Sequence, residues 1–100
     1  MQDVDERLVG QADDALSALE ARYWQSDSEA EKALLQPQIE LALQNWVRAR
    51  IRLLNQGTIA SEEDVQGVGR IKREIDDAVE TQALVVAAAR LVAAIAKFAA

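Results

Sequence analysis

The sequence predicts an all-α protein, an antiparallel three-helix bundle with a long C-terminal helix. Three observations lead there. Apolar residues recur at three-, four- and seven-residue spacing along three stretches. Two short polar breaks, Gln25-Ser26-Asp27-Ser28 and Gln56-Gly57-Thr58-Ile59-Ala60, separate those stretches. After the second break, nothing stops a helix until the chain ends: no proline, and glycine only at Gly67 and Gly69.

That last stretch organises the rest. Ser61-Glu62-Glu63-Asp64 places a hydroxyl at the cap position and an acid three residues on, a helix start. The predicted third helix covers about residues 62–98 and spans about 55 Å at 1.5 Å per residue. One small globule cannot cover that length, so the far end, Ala83 to Ala100, needs something to pack on.

The first helix covers about residues 4–24. Asp3 caps it, with Glu6 three residues on. Leu8, Val9, Ala12, Ala15, Leu16, Leu19 and Tyr23 form one buried face, and Asp5 falls inside it. Asp13, Asp14 and Glu20 lie off it. The first 29 residues hold eight acids against Arg7 and Arg22, a balance equal to the net charge of −6. A link this short makes the first and second helices antiparallel neighbours.

The second helix covers about residues 28–55; Ser26 with Glu29 and Ser28 with Glu31 both fit a capping box at its start. Leu35, Ile39, Ala42, Trp46, Ala49 and Leu53 make a heptad-like seam, widened by Leu43, Val47 and Leu54. Pro37 lacks a donor, so it kinks this helix or starts a fresh one, which makes four segments of three. Gly57 suits a left-handed stop, and the third helix then returns along the second. The first half of the third helix buries Val65, Val68, Ile71, Ile75, Ala78 and Val79. From Leu84 the phase changes. Leu84, Leu91, Ile95 and Phe98 lie nearly opposite Ile75 on the same wheel, and the old face continues only as Val86, Ala89, Ala93 and Ala96.

Composition bounds the function. One hundred residues make a single domain, residues 1–100; half of them are apolar but only 4% aromatic, so the core is thin. With no cysteine and no histidine, disulfides, thiolate catalysis, zinc sites of the usual kind and His-based nucleophile systems are excluded. The acidic balance argues against a nucleic-acid partner. Arg90 and Lys97 interrupt the apolar C-terminal run, which argues against a membrane partner. An acidic N-terminus, unlike a signal peptide, leaves a cytoplasmic location as the expectation.

Four sets of residues are candidates for chemistry or contact. Leu84, Leu91, Ile95 and Phe98, left over by the phase change, are expected to form the interface with a partner or a second copy. Arg48, Arg50 and Arg52 end the second helix. Folding about residue 59 brings Arg48 level with Arg70, which makes an anion site or a cluster neutralised by the first helix. One such internal pair is expected between Asp5 and Arg50. Glu74, Asp77 and Glu80 resemble in spacing a carboxylate set for a divalent metal. However, Arg70, Lys72 and Arg73 each have an acid four residues on, which makes a solvated charged face the simpler reading. Trp46 belongs to the seam; Trp24 divides evenly between a packing and a contact role. The expected function is a non-enzymatic helical interaction or assembly module, homo-oligomeric and without cofactor, acting through its C-terminal helix. Two alternatives are kept: an acidic inhibitor or immunity-type protein with Asp13, Asp14 and Glu20 in the contact with a basic partner, and a metal-dependent phosphohydrolase on Glu74, Asp77 and Glu80.

Overall fold

The computed structural model describes residues 3–57 and 59–99. Met1, Gln2, Thr58 of the predicted second break and Ala100 of the predicted overhang lie outside them. Among the described residues the chain is all-helical, and the helices number four: α1 Val4–Gln25, α2 Glu29–Asn55, α3 Glu62–Asp77 and α4 Thr81–Ala96.

The helix starts follow the local chemistry of the sequence. The Asp3 carboxylate accepts the Glu6 N–H at 2.8 Å. Ser28, not Ser26, caps α2, accepting the Glu31 N–H at 3.1 Å. Ser61 and Asp64 complete a reciprocal capping box on α3. After α2 the chain turns at Gly57 with φ +77°, a left-handed conformation that costs glycine little. Pro37 does not divide α2, which runs unbroken from Glu29 to Asn55. Ala33 and Pro37 are both exposed, so water is at hand for the Ala33 carbonyl that loses its donor.

The predicted long helix is corrected to two. The chain leaves α3 at Ala78 and enters α4 through Glu80, both extended (ψ 126° and 147°). Neither glycine nor proline marks this break. Arg22 of α1 stabilises it from outside. Its guanidinium donates to the carbonyls of Ile75 and Ala78, each at 2.7 Å, and of Asp76 at 3.4 Å. Those carbonyls end a helix, where partners are otherwise lacking. Beyond the break, the Thr81 hydroxyl bonds the Glu31 carboxylate, which ties the start of α4 to α2.

The reversal lets each half of the former helix bury its own face. Val65, Val68, Ile71 and Ile75 are buried from α3, and Leu84, Leu91 and Ile95 from α4, with Phe98 just beyond it. Val79, expected inside, is 92% exposed at the turn. Packing follows two hairpins laid side by side. α1 contacts α2 and α3; α4 contacts α2 and α3; α2 and α3 do not touch. The expectation that the third helix returns along the second is therefore overturned: α3 lies along α1, and α4 takes the place beside α2. Arg7 of α1 grips Glu62 of α3 with two 2.7 Å bonds.

Asp5 explains why α1 attracts the α2–α3 link. It is the one buried charged residue among the described residues. Its carboxylate accepts the Ile59 N–H at 3.1 Å and the Ala60 N–H at 2.8 Å. A buried carboxylate needs such donors, and these backbone groups fill that need. The expected pair with Arg50 does not form; Arg50 is exposed and lies over the Trp46 ring, 5.2 Å from its centroid.

Candidate protein-docking face

Leu84, Leu91, Ile95 and Phe98 are all within 5% of complete burial, packed in the core by the chain's own helices. They present no exposed patch, so the physical basis for assigning them a partner is gone. The residues once expected to continue the inner face, Val86, Ala89, Ala93 and Ala96, are the exposed ones.

The polar sets also disperse. With α2 and α3 apart, Arg48 and Arg70 do not meet. Arg70 and Arg73 line the α1/α3 groove beside Arg7 and Gln11, while Arg52 donates to Gln56 at 3.2 Å. Glu74 pairs with Arg90 of α4, Asp77 ends α3, and Glu80 stands beyond the break at the cap of α4. No group of three or more acids placed to hold a metal ion occurs among the described residues. Of the helical pairs expected in that region, Lys72 with Asp76 forms, at 2.7 Å. No helix of the described residues is long and apolar enough to cross a membrane.

Carboxylates instead clamp α4 at its two ends. Glu31 holds Thr81, and the hydrogen bonds from Thr81 and Ser26 keep its carboxyl below the usual range. Asp64 takes the Lys97 ammonium at 2.8 Å. Burial pushes the Asp64 carboxyl up, but the bonds from Lys97 and Ser61 outweigh it and the net shift is downward.

Most of the large exposed apolar residues lie on α2. Its innermost positions include the small residues Ala42 and Ala49, while Leu34, Leu41, Leu43, Val47, Ile51 and Leu54 stay exposed. Counted at 100° per residue, Leu43, Val47, Ile51 and Leu54 span about 80° and form one stripe, roughly 130° round the helix from the buried side chains. Val47 and Ile51 are 53% and 58% exposed. The seam that the spacing predicts, Leu35, Ile39, Ala42, Trp46, Ala49 and Leu53, does face inward; its expected widening by Leu43, Val47 and Leu54 is overturned, since those three stay in water.

The stripe borders the groove between α1 and α2. Glu20, Tyr23 and Trp24 of α1 face Gln36, Ile39 and Glu40 of α2 across that groove. Trp24 is 75% exposed and meets Tyr23 edge to face, their centroids 5.1 Å apart. Thus Trp24 is a surface residue. Trp46 is half-buried against Leu8, Val9 and Ala12, with its indole N–H enclosed and without a partner among the described residues. Glu6, Asp13 and Glu20 recur every seven residues and therefore form one row on the groove side of α1. Asp14 falls elsewhere, beside Arg7, Gly10 and Gln11. None of Glu6, Asp13, Glu20 and Glu40 makes an ion pair among the described residues. No protein-family model, curated protein or solved structure matches the chain.

Proposed function

We propose that the chain is a small helical protein–protein interaction module that docks its partner on the α1/α2 face. Its role is that of an adaptor, a regulatory subunit or a structural component, without catalysis of its own. The C-terminal helix, once expected to carry the contact, serves as core. One observation supports this reading above the rest: α2 keeps Leu43, Val47, Ile51 and Leu54 in water in one stripe. Fully burying such a side chain stabilises by ~1.5–3 kcal/mol, and roughly half of that remains to be gained at each half-exposed position. Contiguous apolar surface of this kind marks an interaction site more often than an inert face. The reading of an acidic inhibitor-type module is favoured by a second observation: Glu20 lines the groove, Glu6 and Asp13 stand in the same row of α1 by their seven-residue spacing, and none of the three makes an ion pair among the described residues.

A photo-crosslinking amino acid tests the assignment in the source cell. Placed at Val47, it should join the chain to a second polypeptide. Placed at Arg73, on the α1/α3 side, it should not. Absence of any adduct at Val47 overturns the docking face.

A further inference from the structure

The partner's chemistry is written in what surrounds the stripe. Leu8, Val9 and Ala12 line one small pocket with Trp46, Ala49 and Arg50, so levels on the antiparallel pair sum to roughly 58. The stripe from Leu43 to Leu54 is then level with residues 4–15 of α1. By the seven-residue spacing from Glu20, Asp13 and Glu6 fall on its α1 side along that length, and the groove itself continues past Glu20 and Glu40 to Trp24. The occupant therefore meets apolar side chains on α2 and, parallel to them, a row of carboxylates on α1.

A second copy does not complement this surface. Two such faces related by a two-fold axis offer two alignments. In one, α1 faces α1 and the acid rows oppose each other. In the other, each acid row lies on the partner copy's apolar stripe, where Arg50 can answer one carboxylate and the others lose their water without gaining a cation. The net charge of −6 per chain adds to the repulsion.

Resting on the docking face above, we infer that its occupant is a basic amphipathic helix of another protein. Its apolar residues seat on Leu43, Val47, Ile51 and Leu54, and its lysines or arginines lie along Glu6, Asp13 and Glu20. The seven-residue spacing of the acids sets the spacing of the bases, since both elements are helices. From Ile39 to Leu54 the groove runs about 22 Å, or about four turns of an occupant. Arg50, held over Trp46, interrupts the acidic border near Glu6. The partner's bases are therefore concentrated toward Asp13, Glu20 and Glu40.

The test uses the full chain and two designed peptides of about 18 residues, with the same leucine seam. One carries lysine at one flanking heptad position; the other carries glutamate there. Fluorescence anisotropy should show the lysine peptide binding at least about tenfold tighter. Val47→Asp should abolish that binding, and the double variant Asp13→Lys/Glu20→Lys should reverse the preference. Should that variant lose its helical circular dichroism, salt replaces it: lysine-peptide affinity must fall by about tenfold or more between roughly 0.05 and 0.5 M NaCl. Equal affinity for the two peptides, binding of neither, or a preference untouched by both charge and salt overturns the inference. So does a Val47 crosslink to a second copy of this chain. A Val47 crosslink to a partner that lacks a basic helix overturns the inference while the docking face stands.

Discussion

Helices α2 and α4 are both apolar on most of their circumference, yet the molecule uses them in opposite ways. α4 puts its leucines and isoleucine, Leu84, Leu91 and Ile95, inside with Ala87 and Ala88, and leaves Val86 and alanines such as Ala89 and Ala93 in water. α2 puts Ala42 and Ala49 inside alongside Leu35 and Leu53, and leaves Leu34, Leu41, Leu43, Val47, Ile51 and Leu54 in water. Within one chain, apolar content therefore does not measure burial. Size and phase against the neighbouring helices decide it, and the helix whose large side chains stay outside is the one with surface to offer a partner.

The comparison breaks most sharply at Leu91 of α4, which is fully buried. Leu91→Ala should lower the unfolding free energy by about 2–5 kcal/mol, the cost of lost transfer energy plus a cavity. Urea unfolding followed by circular dichroism measures it. A change under half a kilocalorie would mean that α4 does not pack as described. Next in size is Arg22→Met, which keeps the side-chain length but removes the donors to the Ile75, Asp76 and Ala78 carbonyls. A loss of about 1–3 kcal/mol is expected, from carbonyls left without partners at a partly buried site. Faster hydrogen exchange should centre on the end of α3 and the start of α4, leaving α2 as in the wild type.

Acid sharpens the contrast further, because carboxylates tether α4 while the α2 stripe has no titrating groups. Glu31 and Asp64 are held below their usual range in the fold. A depressed folded-state pKa contributes stability above the unfolded value, ~3.9–4.3, and loses it as pH falls through the folded value. Thermal melts should therefore show wild type above the Glu31→Gln/Asp64→Asn variant at pH 6. The two should converge below about pH 3. A gap that widens on acidification would contradict the clamp. The smallest effect on stability is expected at the stripe: Val47→Asp should shift the unfolding free energy by no more than about 0.5 kcal/mol, as exposed positions do. A larger loss would show that the stripe is core after all.

The sequence by itself determined the helical class, the caps at Asp3 and Ser61, the stop at Gly57, the inner faces of α1 and α3 and the seam of α2, while leaving the α2 cap open between Ser26 and Ser28. Each of these rests on local chemistry or on a helix with a clear polar side, so one stretch of chain contains the whole argument. The same sequence also carried the signal for the fourth helix, in the change of phase between Ile75 and Leu84. It read there as a sticky overhang because no local residue type marks a stop at Ala78–Glu80. Only the tertiary structure decided that turn, through Arg22 some 53 residues away in sequence from the Ile75 carbonyl it holds. It likewise decided that Asp5 goes to the Ile59 and Ala60 amides, that α3 pairs with α1, and hence that α4 lies beside α2. The candidate docking face follows from that last choice. The inward seam of α2 was legible in its spacing, but how far burial reaches round from that seam was not, because the neighbours that the rest of the chain supplies determine that Leu43, Val47 and Leu54 meet water.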